Sequence, residues 1–284
     1  MRDRKRFAVA LFLAFVSLRA SAQVVVRSGV GAAATTARDQ FRADIGGGTV
    51  AAPNGSFGGL RREINWDDVP DAFASPNNLP ANYFNSNSPR GVLLSTPGTG
   101  LRVSASAASG TPVRFGEINP TYPATFVAFS PERLFSPLGS NITDISFFVP
   151  GTNTPALVYA FGAMLTDVDF GATIELFGAG GESLGALNVA ACDHDVAFVG
   201  LTFADHQPRI ARVRIISGTV ALGPNDGPGC GFPLCTPNDV VAVDDIIYSE
   251  PAVIRAGAAV PALSTTALVI LGSLLALAAV LRMR

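Results

Sequence analysis

Three groups of chemistry-bearing side chains stand out in this chain. The first is acidic: Asp67-Asp68, Asp167 with Asp169, and Asp244-Asp245. Two carboxyl groups roughly 5–9.5 Å apart across a sugar linkage make a glycoside hydrolase, and carboxylate oxygens also suit a hard cation such as calcium. The second is Cys192-Asp193-His194. On an extended strand, residues two apart share a side, so thiol and imidazole there can pair or hold a metal. A closed zinc site needs further ligands, and the simpler expectation is an exposed polar loop ahead of a strand at Val196. The third is Cys230-Gly231-Phe232-Pro233-Leu234-Cys235, inside the Gly- and Pro-rich run 223–237. A local disulfide between Cys230 and Cys235 would pin that loop by about 2 kcal/mol on loop-entropy grounds and leave Cys192 unpaired. The alternative joins Cys192 to one of the two. There is no Gly-x-Ser-x-Gly elbow, and His194 and His206 are the only histidines, so no catalytic triad is evident and the chain is expected not to be an enzyme.

The surrounding sequence calls for short strands. Only 15% of residues are charged, whereas Gly (29) and Pro (20) are frequent, a composition that favours strands joined by turns. Pro70, Pro76, Pro80, Pro89, Pro97 and Pro112 forbid long helices over that stretch, because each lacks an amide proton and disfavours helical geometry before it. Strands are expected near 91–95, 101–104, 125–129, 142–149, 156–161, 173–177, 183–189, 196–203, 210–217 and 240–248. Ala211-Arg212-Val213-Arg214-Ile215 alternates, as a half-buried antiparallel strand does, while Val240-Val241-Ala242-Val243 is apolar on both faces and suits a central strand. The fold expected is all-β, a jelly-roll-like antiparallel β-sandwich over residues 61–251. Residues 23–60 read as a lead-in arm with a short helix at 35–45, Phe41 and Ile45 on one face and Gly46-Gly47-Gly48 as its stop. Gly29-x-Gly31-x-x-Ala34 imitates a dinucleotide fingerprint, but no βαβ repeat surrounds it. In carbohydrate-binding jelly rolls a structural calcium sits near the junction of first and last strands. Asp67 and Asp244 occupy those places, so this pair is the candidate for a structural calcium, while acids at strand ends are more commonly solvated or bonded to backbone amides; no other cofactor is expected. Trp66 is the only tryptophan, and Phe147, Phe148, Phe198 and Phe203 fit a core better than a sugar-stacking platform.

The two ends place the chain outside the cytoplasm. Arg2, Arg4, Lys5 and Arg6 precede an apolar core at 7–18 and Ala20-Ser21-Ala22, the three parts of a signal peptide (1–22) cut before Gln23 by signal peptidase. A run of about twelve apolar residues is too short to span roughly 30 Å of hydrocarbon. After a linker at 252–259, residues 260–284 read as a transmembrane helix. No charge occurs at 256–281, and nine residues from Leu268 to Leu281 are Leu, Ile or Val; at roughly −0.3 to −0.6 kcal/mol each they contribute about −4 kcal/mol towards insertion. Arg282 and Arg284 then mark the cytoplasmic side. With about 235 residues left between the ends, one large β domain or two small ones can form. A net charge of −2 gives no electrostatic case for a nucleic-acid partner.

Val260-Pro261-Ala262-Leu263-Ser264, the apolar helix and the terminal basic cluster together resemble the IPTL-CTERM and related PEP-CTERM sorting signals of Gram-negative bacteria. Pro261, Leu263 and Ser264 match that pattern, while Val260 and Ala262 replace isoleucine and threonine. The resemblance implies an exosortase-type transpeptidase acting at the motif, and a protein held in the inner membrane or passed on to the cell surface or matrix. The body is similar to ectodomains of other sorted surface proteins through Arg61-Arg62-Glu63-Ile64-Asn65-Trp66-Asp67, Phe84-Asn85 with Ser88-Pro89-Arg90-Gly91, Arg133-Leu134-Phe135, Phe161-Gly162 with Asp167-Val168-Asp169, and Val243-Asp244-Asp245-Ile246. That group has no established activity, so the likeness implies fold and location. The function expected is structural, adhesive or matrix-organising, with extracellular polysaccharide as a partner; the alternative is a secreted carbohydrate-binding module or weak glycoside hydrolase.

Overall fold

The computed structural model describes residues 23–49, 55–227 and 238–253. Signal-cleavage residues Ala20 and Ala22, the Cys230 and Cys235 pair, the motif Val260, Pro261, Ala262, Leu263 and Ser264, and the apolar tail lie outside the described residues. Among the described residues no helix is long and apolar enough to cross a membrane.

The chain is mostly strand, paired antiparallel throughout the two main sheets. In chain order the strands are β1 (Val24–Val30), β2 (Ser56–Phe57), β3 (Arg61–Ile64), β4 (Val92–Ser95), β5 (Gly100–Val103), β6 (Phe135–Leu138) and β7 (Ile142–Phe147). They continue with β8 (Ala156–Leu157), β9 (Ala160–Val168), β10 (Ala172–Phe177), β11 (Ser183–Val189), β12 (Cys192–Phe203), β13 (Arg212–Ile216), β14 (Ala242–Ser249) and β15 (Ala252–Val253). The larger sheet runs β1-β12-β9-β14-β3-β2, with β6 joined to both β14 and β5. The smaller runs β11-β10-β13-β7-β4, and β15 pairs with β8 apart from both.

Alternation along each strand creates the core between the sheets. Phe161, Ala163, Leu165, Val199 and Leu201 of the larger sheet share one buried cluster with Ile145, Phe147, Ile174, Leu176, Val213 and Ile215 of the smaller. β13 behaves as its sequence pattern predicts: Val213 and Ile215 enter the core, while Arg212 and Arg214 stay outside on Asp144 of β7. β14 is buried along its whole length because both of its faces are covered. Val243 and Ile246 face the core, whereas Ala242 packs under Phe115, Tyr122 and Phe126, and Ile247 packs in the cluster with Phe41.

Residues 23–60 are not a separate arm. β1 pairs with β12 over its full length, from Val24 opposite Phe203 to Val30 opposite Ala197, and so forms an edge of the larger sheet. The chain reverses at Gly31, where φ is +57°, into α1 (Ala32–Asp44). This helix starts three residues earlier than its apolar pattern predicts and buries both Phe41 and Ile45. It lies on the outer face of β9 and β12, against Ala160, Met164 and Phe198. Gly200 makes that approach possible, since a Cβ there would sit 2.8 Å from the Phe41 ring. The dinucleotide-like glycine pattern is therefore a strand-to-helix turn, and its strand pairs antiparallel rather than opening a βαβ unit.

Candidate functional site

Two acidic clusters are assembled by β9, β12 and β14. The first contains the predicted pair. A register shift between Val243 and Ile246 interrupts the alternation of β14, and Asp244 and Asp245 are both buried there, 0% and 5% exposed. Asp244 holds the segment at 129–130: the Phe129 amide donates to its Oδ2 (2.6 Å), and the Ser130 amide and hydroxyl donate to its Oδ1 (3.3 and 2.9 Å). Its backbone carbonyl accepts the Trp66 indole N–H. Asp67 Oδ1 accepts the Arg133 amide at 3.1 Å. Asp67 and Asp244 thus meet the same segment, 129–133, each through N–H donors. A calcium ion on Asp244 would have to take oxygens that these donors now occupy. Burial, and then the charge of Asp245, holds the Asp244 carboxyl well above the usual carboxylate range; burial raises Asp245 and Asp67 as well.

Beside this pair opens a cleft of about 500 Å³ lined by Arg38, Arg42, Glu63, Asp68, Phe57 and Phe129 among others, with Asp245 in its wall. A second hollow of about 540 Å³ adjoins it, lined by Asp67, Asp71, Glu132 and Arg133; Asp68 and Pro131 line both. Arginines tie down much of this lining. Glu63 accepts from Arg42 and Arg61, each at 2.8 Å, and Asp71 accepts from Arg133. Guanidinium groups also cover the rings, Arg61 at 4.2 Å over Phe57 and Arg38 at 4.7 Å over Phe129, the geometry of cation–π attraction. Trp66 is buried between Phe84 and Phe135 rather than offered to a ligand.

The second cluster lies where β9 ends and β12 begins. A register shift between Cys192 and Val196 sends the thiol and the imidazole apart. Cys192 is buried in the core, its thiol raised to about 11 by burial, and its Sγ accepts the Val168 amide at 3.5 Å. The His194 side chain is 57% exposed. The Cys–His pairing that strict alternation allows is not formed. Instead His194 meets carboxylates: its backbone amide donates to Asp167 Oδ1 (2.9 Å), its Nδ1 lies 3.8 Å from that oxygen, and Nδ1 also contacts Asp193 Oδ1. Among the described residues this is the group that places three donor atoms within 4.8 Å of one another.

Asp167 is fully buried, and its Oδ2 has no hydrogen-bond partner; neither has Asp169 Oδ1. Burial, reinforced by Asp226 and Asp169, pushes the Asp167 carboxyl up to about 7, and burial with Asp226 and Asp193 pushes Asp169 to about 6. His194 is raised by Asp193. Asp239 fixes the adjoining loop, accepting the amides of Asp169 (3.2 Å), Phe170 (2.8 Å) and Gly171 (3.0 Å). Sequence patterns single out Asp167, Asp169 and His194 but keep them apart, and they give no sign of Asp226 and Asp239 as members. Only the adjacency of Asp193 to His194 points to the group in advance. His206 lies elsewhere, stacked on Tyr159 at 4.7 Å between ring centroids.

No family model matches the chain, and no curated protein does. Among solved structures, a partial likeness exists to the enzymatically active domain of tailspike protein 4 of bacteriophage CBA120. It has 11% identity and a TM-score of 0.27, covering 60% of this chain and 20% of that one. A likeness that loose carries no argument about activity.

Proposed function

We propose that this chain is an exported surface protein whose β body is a jelly roll standing outside the membrane, with an adhesive or matrix role and extracellular polysaccharide as its partner. The jelly-roll reading is supported by strand order: β12-β9-β14-β6 in one sheet and β11-β10-β13-β7 in the other is the winding expected when eight strands alternate between two sheets in pairs. Export and retention rest on the leader at 1–22 and on the sorting motif with its apolar tail at 260–284, with signal peptidase, an exosortase-type transpeptidase and the membrane as partners.

The observation that carries the binding role is the way the cleft is built. In the cleft Glu63 is fixed between Arg42 and Arg61 and the Phe129–Ser130 wall is held by Asp244, and in the adjoining hollow Asp71 is fixed by Arg133. Such a lining offers fixed donors and acceptors to a hydroxyl-rich polymer, and Glu63 and Asp71 are engaged by arginines rather than poised as an acid and nucleophile. The test is a glycan-binding screen of the purified full chain, in detergent where the tail is retained. Saturable binding weakened at least tenfold by Asp68→Asn with Arg38→Ala supports the reading. Release of reducing ends would replace it with a hydrolase, and an absence of binding to any glycan would remove the polysaccharide partner. For sorting, mass spectrometry of the mature C-terminus in the native host is decisive, because an intact Arg284 on every molecule rules out processing.

A further inference from the structure

We infer that the end of the sandwich where β9 meets β12 binds one divalent cation through the carboxylates of Asp167 and Asp193 and Nδ1 of His194. This site is distinct from the cleft at Asp68 and does not depend on its function. Three donor atoms within 4.8 Å of one another match the spread of ligands around one ion, where metal–ligand bonds of about 2.0–2.6 Å put ligand atoms up to roughly 5 Å apart. The independent observation is the orphaned oxygen. Asp167 Oδ2 belongs to a side chain with no exposed surface and receives no hydrogen bond. A buried carboxylate oxygen left this way is unfavourable unless a proton or a cation answers it, and three converging donor atoms offer the place for a cation.

The surroundings agree. Among the described residues the ion-pair partner of Asp167 and of Asp193 is His194, and no guanidinium reaches either. Asp169, with its own unpartnered Oδ1, and Asp226 add negative charge that acts on Asp167. The frame is also fixed in advance: the His194 amide pins Asp167, and Asp239 pins the loop carrying Asp169. An imidazole among carboxylates favours an ion of the Mn²⁺ or Zn²⁺ type over Ca²⁺, which prefers oxygen alone. His194 and Asp193 are exposed, 57% and 75% at the side chain, so remaining coordination positions face solvent and are open to water or to oxygen ligands.

The test uses the full chain stripped with EDTA and titrated with Mn²⁺ alone, following loss of the six-line electron paramagnetic resonance signal of the free ion. One saturable Mn²⁺ per chain, displaced by Zn²⁺, is expected. Asp193→Asn and His194→Gly, the latter suited to the φ of +51° at that position, should each weaken binding at least tenfold. Both sites are on the surface, so these variants stay informative if Asp167→Asn fails to fold. Asp67→Asn should leave binding unchanged. The assignment is overturned by no saturable binding, by binding that survives Asp193→Asn and His194→Gly, by loss in Asp67→Asn instead, or by tighter Ca²⁺ than Mn²⁺.

Discussion

The two acidic clusters are built from the same residue type on adjacent strands, yet their electrostatics differ. Around Asp244, both oxygens are served, by two backbone amides and a hydroxyl, arginines hold Glu63 nearby, and the charge of Arg42 acts on Asp245, whose own Oδ1 has no hydrogen-bond partner. Around Asp167, one amide serves one oxygen, the other oxygen has nothing, and apart from the half-exposed His194 the charges that act on it are more carboxylates. Burial raises the carboxyls in both places. The difference lies in what answers the charge. Where the chain supplies N–H groups to both oxygens, an aspartate works as a brace for a loop; where it leaves a buried oxygen without one and brings no guanidinium near, the aspartate waits on something from outside the chain.

The largest effect expected from this contrast comes from removing each brace in turn. Asp244→Ala leaves the partly buried Phe129 and Ser130 amides without acceptors and should cost about 2 kcal/mol, towards the lower end of roughly 1–3 kcal/mol for each group left unsatisfied. Asp167→Asn in EDTA removes a buried charge that only the half-exposed His194 answers among the described residues, and should be neutral or stabilising by up to ~1 kcal/mol. Urea unfolding of both variants checks the pair. Equal losses would erase the distinction drawn between the clusters.

A smaller effect follows from pH. Carboxyls raised in the folded state hold protons that the unfolded chain has already released above its ordinary value near 4. Between that pH and the raised native values, the folded form binds more protons, so stability falls as pH rises. In EDTA, the melting temperature should be higher at pH 5 than at pH 8, by the equivalent of at least ~1.4 kcal/mol, the worth of a tenfold change in one carboxyl's proton affinity. Asp167 and Asp169 act with the same sign, so the share of the Asp244–Asp245 pair is read from Asp245→Asn, which should flatten the slope. An unchanged slope in that variant would assign the whole dependence to the other cluster.

What the sequence made legible was whatever depended on local pattern. The alternation at Arg212-Val213-Arg214-Ile215 predicts both the strand and its buried face, and the apolar run ahead of Ile246 predicts a strand covered on both sides. Phe41 and Ile45 predict the buried face of α1. The pairing of β1 with β12 was not legible, because Val24-Val25-Val26 carries no mark of its partners Phe203, Thr202 and Leu201, far along the chain. The candidate sites failed for a related reason. Strict alternation puts Cys192 and His194 on one side, but the shift before Val196 separates them, and no residue type in Asp193-His194-Asp195 announces an irregularity. Asp67 and Asp244 do converge on one segment, yet through the amides of 129–133, and an amide leaves no trace in a sequence.

Asp144 offers a third arrangement that sharpens the comparison at the smallest scale. It sits on the outer face of the smaller sheet between Arg212 and Arg214, receiving two hydrogen bonds from Arg214 at 2.8 and 3.0 Å and another from Arg212. Partial burial works against its charge, but the Arg214 and Arg212 contacts outweigh it and hold the carboxyl below its ordinary value. The sign is therefore opposite to that of the two clusters. Its contribution is fully present above about pH 4 and is lost as pH falls through the depressed folded value. Both guanidinium groups are about a third exposed, so solvent screens the attraction and Asp144→Asn should cost only ~0.5–1 kcal/mol at pH 7. That cost should shrink in 1 M salt, where the screening length falls to about 3 Å, whereas the Asp244→Ala cost, which rests on partly buried amides, should not. Unfolding of the two variants at low and high salt separates an acid answered by exposed guanidinium from one answered by partly buried N–H groups. Equal salt dependence would mean that the nature of the donor does not matter.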